Sequence, residues 1–326
     1  MTLDILMPHY KESFDVVKPY LDSVALQGGI NFDDVGVIIV NDGDDVVFDE
    51  SLFAGYPFKI TYLVKKHEGV SAARNYALDH STADYVTFSD CDDMWLNLYG
   101  MHMVFSAMNE RYDAITSLFI EEHKEPDGSY KIIRRDKDST FVHGKIYRRK
   151  YLVDEKIRWR KELTIHEDGY FNCVALTCTD NKKEITTPFY IWKWRDGSAA
   201  CKGDTKFVLR TYADMLKTRT AICKEVKKRG FVNEYYDFVC RTVIDSYYDF
   251  NKPEYLKPEN AELVANAEKA FRKFYMKFRQ DYNECNVQRI AEIMYLARGQ
   301  AYVNGLRIEQ RTITEWLTHI VKDVEE

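Results

Sequence analysis

The chain has 326 residues, 45% hydrophobic and 30% charged, with only 7 Pro and 15 Gly; that composition excludes disordered and collagen-like classes and allows two folded units. Its net charge of −6 is uneven: residues 1–204 hold 25 basic against 34 acidic side chains, and residues 205–326 hold 21 against 18. An acidic first part suits a divalent cation; the mildly basic remainder suits either an anionic acceptor or an ordinary solvated helical surface.

In chain order, Leu3–Met7 is a short apolar run that predicts a strand. Phe14–Leu26 carries Val17, Tyr20, Leu21 and Val24 at helical spacing. Val35–Val40 is rich in β-branched residues and predicts a buried parallel strand, and Ile60–Val64 predicts another. Gly69–His80 reads as a helix, with Val70, Ala73, Ala77 and Leu78 on one face, and Asp84–Phe88 as the next strand. Strands alternating with helices predict an α/β unit with a mostly parallel sheet. Ala114–Glu122 and Tyr130–Arg135 flank the turn signal Pro126-Asp127-Gly128, which predicts a hairpin. Glu167–Leu176 reads as a helix and Ile185–Trp194 as a strand-rich piece.

Beyond about residue 205 the pattern is helical to the end. One stripe runs from Val208 to Val226 and stops at Gly230; Tyr235, Phe238, Val239 and Thr242 form the next. Pro253 and Pro258 break the chain before Leu263–Phe278, Val287–Tyr302 and Ile313–Val324. The expected division is residues 1–204 for the α/β unit and 205–326 for a helical appendage serving acceptor recognition or homo-oligomerisation.

No apolar run approaches the roughly 18–20 residues of a membrane span, and the first residues lack signal-peptide architecture. Seven cysteines without paired spacing argue against a disulfide framework and for core positions in a reducing interior. Cytoplasm, with room for a peripheral membrane association, is the expected compartment.

In open α/β sheets ligands bind beyond the carboxyl ends of the strands. Those ends carry Pro8-His9-Tyr10-Lys11-Glu12 after the first strand, Asn41-Asp42-Gly43-Asp44-Asp45 after the second, and Ser89-Asp90-Cys91-Asp92-Asp93 after Asp84–Phe88. Three carboxylates in four residues repel one another unless a cation sits among them, and hard oxygen ligands suit Mn²⁺ or Mg²⁺. By itself an Asp-x-Asp is as well read as a solvated turn. Arg74, in Gly69-Val70-Ser71-Ala72-Ala73-Arg74-Asn75, suits a phosphate or a base carbonyl, or else an ordinary surface position.

Pro-x-Tyr, an Asp-Gly turn, Gly-x-x-x-Ala-Arg-Asn and Asp-x-Asp-Asp, in this order and spacing, resemble glycosyltransferase family 2 over roughly residues 1–200. The resemblance implies a GT-A fold and sugar transfer from a nucleotide diphosphate donor, a UDP-sugar above all. It implies that Pro8, His9 and Tyr10 line the nucleoside pocket, that Asp42 bonds the uracil ring, and that Arg74 lies against base or pyrophosphate. Asp90 would meet ribose or metal, and Asp92 the metal. Lys11, Asn41 and Asp44 depart from the family pattern, and the added charge of Asp44 and Asp45 bears on nucleotide choice.

Further on, His143-Gly144-Lys145-Ile146-Tyr147-Arg148-Arg149 resembles the family's strand before the acceptor site. His166-Glu167-Asp168-Gly169 resembles the Glu-Asp pair whose aspartate serves as catalytic base in inverting members, here Asp168. A carboxylate at a helix N-terminus is held ionised by free N–H groups, for catalysis or as a plain cap. Arg195 and Ser198, in the late loop, are implied donor-diphosphate contacts. Trp192 and Trp194 share a face, for stacking on sugar or packing beneath the helices; His143 is either a metal ligand or a structural residue, and Cys91 supplies backbone.

The leading expectation is a metal-dependent, inverting transferase acting on an acceptor hydroxyl of a glycan, glycolipid, protein or nucleic acid. Retaining chemistry and a non-catalytic nucleotide-sugar scaffold are the alternatives. A sugar nucleotidylyltransferase is disfavoured because Pro8-His9-Tyr10 has no glycine to wrap a triphosphate.

Overall fold

The computed structural model describes residues 1–125, 127–136, 138–196, 206–303, 305–306 and 311–322. The chain divides into two compact units, Met1–Lys202 and Gly203–Glu326.

The first unit is α/β. Its strands are β1 (Leu3–His9), β2 (Val35–Asn41), β3 (Lys59–Val64), β4 (Tyr85–Phe88), β5 (Met94–Trp95), β6 (Ala114–Ser117), β7 (Phe119–Lys124), β8 (Tyr130–Arg135), β9 (Lys145–Arg148), β10 (Lys182–Ile185) and β11 (Tyr190–Trp192). Its helices are α1 (Phe14–Ala25), α2 (Val70–His80), α3 (Gly100–Met108), α4 (Arg149–Asp154) and α5 (Glu167–Thr177). A seven-stranded sheet runs β10-β6-β9-β4-β1-β2-β3, parallel except for β9, which is antiparallel to both neighbours. The apolar runs Leu3–Met7 and Val35–Val40 lie at its centre because both faces of those strands are covered.

A four-stranded sheet, β5-β11-β7-β8, stands beside it. The stretch expected as one hairpin arm is divided here: β6 belongs to the large sheet, whereas β7 pairs antiparallel with β8 in the small one. The expected strand-rich piece Ile185–Trp194 divides likewise, since Ile185 ends β10 and Tyr190 starts β11. Helices α3 and α4 were not read from the sequence; their runs of nine and six residues offer little periodicity.

Registry brings three loops to one edge. β1 pairs with β2 from Leu3↔Val35 to His9↔Asn41, and with β4 up to Leu6↔Phe88. All three strands point the same way, so the segments after His9, Asn41 and Phe88 emerge together.

The second unit consists of α6 (Phe207–Arg210), α7 (Tyr212–Lys228), α8 (Val232–Asp249), α9 (Ala261–Asn283), α10 (Val287–Val303) and α11 (Ile313–Lys322). Gly230, at φ +85°, closes α7 where a side chain would be strained. Tyr212, Phe250, Tyr255, Phe271 and Trp316 form its aromatic core. Cys240 and Cys285, 45 residues apart, bring their sulfurs together. Helical sequence gives no cue to which faces meet, so an approach between the middle of α8 and the turn after α9 leaves no spacing signature. No helix among the described residues is long and apolar enough to cross a membrane.

Candidate active site

The loop after β2 shows why its residue types matter. Gly43 has φ +76°, and a Cβ there would lie 2.3 Å from the backbone nitrogen of His67, so only glycine fits. Asn41 Oδ1 accepts from Gly43 N–H (2.8 Å) and Asp44 N–H (3.0 Å), while its Nδ2 donates to the Tyr62 hydroxyl (3.1 Å) and the Val46 carbonyl (3.2 Å). An aspartate at position 41 would lack those donors. Lys11, at φ +72°, gives its N–H to Asp44 Oδ2 (2.7 Å). Two departures from the family pattern, Lys11 and Asp44, are therefore bonded to each other.

Asp42 is buried, and its carboxylate accepts from Lys65 Nζ (2.7 Å), Gly69 N–H (2.7 Å) and Glu68 N–H (3.2 Å), with His67 Nδ1 at 2.8 Å. It thereby folds residues 65–69 over the end of β2 and starts α2. Tyr10 stacks on the His67 ring, centroids 4.5 Å apart, and is itself exposed. His9 turns inward instead, against Phe48 at 4.4 Å, with Nε2 on the Glu12 carbonyl (2.7 Å).

Arg74 is 2% exposed and lies among three carboxylates: Asp168 Oδ1 (2.6 Å), Asp90 Oδ1 (2.9 Å) and Glu167 Oε1 (3.1 Å). Burial alone would lower its pKa, but Asp168, Asp90 and Glu167 outweigh burial and raise it. The guanidinium also lies over the Trp159 ring at 4.3 Å. Asn75 explains its place beside Arg74: its amide donates to the Trp159 carbonyl (2.9 Å) and accepts from Trp159 N–H (3.0 Å), fixing that ring. Asp168, one residue into α5, also accepts from Val142 N–H at 3.2 Å. Glu167 is pushed up to about 7, by burial first and then by Asp168, with Arg74 opposing.

The Asp90–Asp93 stretch spreads its carboxylates in different directions. Asp92 accepts from Arg195 Nε (2.6 Å), and Arg195 also reaches Glu12 (3.4 Å). Asp93 is fully buried, accepting from the Tyr190 hydroxyl (2.5 Å) and Lys193 N–H (2.9 Å). Burial, then Asp90 and Asp92, hold Asp93 well above the usual carboxylate range. Burial also raises Asp92, with Asp90 adding to it. His143, kept below its usual pKa by burial, points Nδ1 at Asp93 Oδ2 from 3.6 Å, and that nitrogen has no hydrogen-bond partner. Asp90, Asp93 and His143 each offer a ligand atom, all within 4.8 Å of one another. A buried imidazole nitrogen without a partner beside crowded carboxylates is a donor set that fits a divalent cation.

The structure thus gathers Arg74, Asp90 and Asp168 in one cluster, joins Asp92 to Arg195 beside it, and sets Tyr10 and Asp42 in neighbouring loops along the same sheet edge. Ser198 lies outside the described residues. Sequence reasoning missed Lys65, His67, Asp93 as a centre residue, and Tyr190. Asp93 had a signal, as the third acid of its string; Lys65, His67 and Tyr190 had none.

Among curated proteins, glycosyltransferase GlyA of Streptococcus pneumoniae is 30% identical over 96 residues, 29% of this chain and 13% of its own length. The minor teichoic acid biosynthesis protein GgaB of Bacillus subtilis is 31% identical over 93 residues, 28% of this chain and 10% of its own. The matched segment is therefore a small part of those relatives. Among solved structures, S. aureus TarS 1–349 superposes with TM-scores of 0.59 in complex with UDP and 0.62 in complex with UDP-GlcNAc. Each match covers 92% of both chains at 15% and 16% identity, and so shows a shared GT-A type fold. The model of glycosyl transferase family 2 matches residues 4–173, more than half of the chain, and takes in the strand-end loops and the Glu167–Asp168 helix start. By that match the chain belongs to glycosyl transferase family 2.

Proposed function

We propose that this chain transfers a sugar from a UDP-sugar to an acceptor hydroxyl, with Mn²⁺ or Mg²⁺ bound and with inversion at the anomeric carbon. The observation that carries this reading is the Arg74 cluster, which holds the Asp168 carboxylate 2.6 Å from a buried guanidinium at the carboxyl edge of the sheet. Two contacts, Arg74 Nη1 and Val142 N–H, fix Asp168 without consuming all its acceptor positions. A carboxylate so oriented takes a proton from an incoming hydroxyl as that oxygen attacks.

The nucleotide half of the donor is read onto the loops of Pro8, Tyr10 and Asp42, where the Tyr10–His67 stack offers a planar apolar surface to a base. Asp42 acts there chiefly by shaping residues 65–69. Arg195 lies where it can exchange Asp92 for a diphosphate oxygen, with Ser198 as a further donor contact. Asp90 and Asp92, with Asp93 and His143 beside them, would hold the cation. Once bound, such a cation neutralises the leaving diphosphate. UDP and UDP-GlcNAc in the complexes of the similarly folded TarS favour a uridine donor. The helical unit is assigned acceptor recognition or self-association.

A panel of UDP-, GDP- and TDP-sugars incubated with the full chain, with and without Mn²⁺, tests this reading by donor hydrolysis. Metal-dependent release of UDP is expected. Release from none of the panel, together with no UDP binding by calorimetry, sinks it.

A further inference from the structure

The small sheet carries a row of aromatic rings that the donor and base assignments do not use. Tyr190 and Trp192 are two apart on β11 and so share a face. β11 pairs in parallel with β7 in the register Trp192↔Glu121, which puts Glu121 on that same face, along with Phe119 and His123 two residues to either side. Ring contacts agree. His143 stacks on Tyr190 at 4.9 Å and meets Phe119 edge-on at 5.2 Å, while His123 touches Trp192 at 5.6 Å and Trp194 at 6.2 Å.

The row therefore begins inside the catalytic cluster and runs outward along the strands. At its inner end Phe119 and Tyr190 are buried, and the Tyr190 hydroxyl holds Asp93. Further out Trp192, Trp194 and His123 are only half-buried. The step from one end to the other is short: Lys193 N–H binds Asp93 and Arg195 binds Asp92, so Trp194 sits between two residues anchored on the acidic string.

Two of the outer rings, Trp194 and His123, have polar partners. Trp194 Nε1 donates to Asp196 Oδ1 (2.9 Å), and Asp196 is itself paired with Lys124 (2.8 Å). Glu121 accepts from Arg135 (2.8 Å) and meets His123 Nε2 at 2.9 Å. Flat apolar faces with carboxylate and guanidinium groups at the rim match the two surfaces of a pyranose, whose C–H faces are apolar and whose hydroxyl edge seeks hydrogen bonds.

We infer that Trp192, Trp194 and His123 form the acceptor subsite, and that the acceptor is a saccharide chain laid along this row with its terminal hydroxyl at the Asp168 cluster. This rests on the transferase reading above only for the direction of the chain; saccharide binding itself does not require turnover.

An array of immobilised oligosaccharides probed with the full native chain, Trp192→Ala, Trp194→Ala and Trp194→Phe tests it. Native binding to at least one saccharide is expected, weakened about tenfold or more by either alanine change and partly restored by phenylalanine, as loss of a stacked ring predicts. Melting temperature controls for folding. No binding to any saccharide, or binding that survives both alanine changes, overturns the inference. Because the array needs no donor, saccharide binding without UDP binding would refute the donor assignment and leave this subsite standing.

Discussion

Arg74 and Asp168 meet at 2.6 Å although 94 positions separate them in the chain. The same guanidinium holds Asp90 at 2.9 Å, so one buried cation ties the string after β4 to the start of α5. Removing it leaves three partly buried carboxylates facing one another without their cation. Arg74→Met is expected to destabilise the first unit by about 3–5 kcal/mol, the usual cost of breaking a buried ion pair from one side. Arg74→Lys keeps the charge but loses the fork and should cost less. Urea unfolding of both variants checks the order.

Asp92 faces Arg195 at 2.6 Å, and burial beside Asp90 raises its pKa. A cation there would relieve that crowding. Asp92→Asn should leave the fold intact and weaken Mn²⁺-dependent UDP binding by about tenfold or more, since a neutral ligand replaces a charged one next to the diphosphate. Calorimetry with and without Mn²⁺ reads this directly; equal affinities for parent and variant would remove Asp92 from the metal assignment.

Glu167 carries a pH dependence. Burial and Asp168 raise its folded pKa to about 7 from an ordinary value of 4.5. The folded state therefore holds the proton more tightly than the unfolded one. Its contribution is fully present below about pH 4.5 and is lost as pH rises through about 7, amounting to at most about 3 kcal/mol. Glu167→Gln should flatten the fall in stability between those limits. A slope unchanged in the variant, measured by denaturant midpoints at stepped pH, would assign it to other groups.

The β-branched runs and their acidic ends were legible because buried parallel strands are continuous apolar segments and because the acids follow them directly. Asp42 and Asp90 could be placed at strand ends for that reason, whereas Arg74 and Asp168 were named through the resemblance of their strings to the family's motifs. What those side chains do to one another was not legible. Arg74 was expected against the donor, whereas in the structure it is filled by Asp168, Asp90 and Glu167. Such pairing depends on β9 and α5 folding back onto β4, a long-range arrangement that local periodicity does not encode. The Lys65 and His67 contacts to Asp42 and the Cys240–Cys285 approach escaped for the same reason.

The two units invite separation. The first ends at Lys202, after every residue placed in the donor site. A chain ending there is expected to melt cooperatively and to bind UDP, because Tyr10, Asp42, Asp90 and Arg195 all belong to it. If the helices present the acceptor, transfer to acceptor should fall while donor hydrolysis persists. Transfer at the full rate by the shortened chain would exclude an acceptor role for residues 203–326.

Asp168 is the most informative position. As the base, it should matter in the chemical step and little in the donor complex, since the nucleotide contacts assigned above lie with Tyr10, Asp42 and Arg195. General bases contribute about 10²–10⁴-fold in rate, so Asp168→Asn should lower kcat by that order with UDP affinity nearly unchanged. The amide keeps the shape and can still accept from Val142 N–H, which now donates at 3.2 Å. It gives up the charge facing Arg74, but Asp90 and Glu167 remain to hold that guanidinium. If Asp168 serves only to hold Arg74 and Val142 N–H, the same change should cost about 1–3 kcal/mol in stability with near-normal turnover. Melting temperature, UDP affinity and transfer rate on this one variant separate the two roles. A rate within about threefold of the parent, far below the range for a base, would move the assignment to Glu167, which meets the same guanidinium at 3.1 Å and whose pKa, raised to about 7, suits proton transfer at neutral pH.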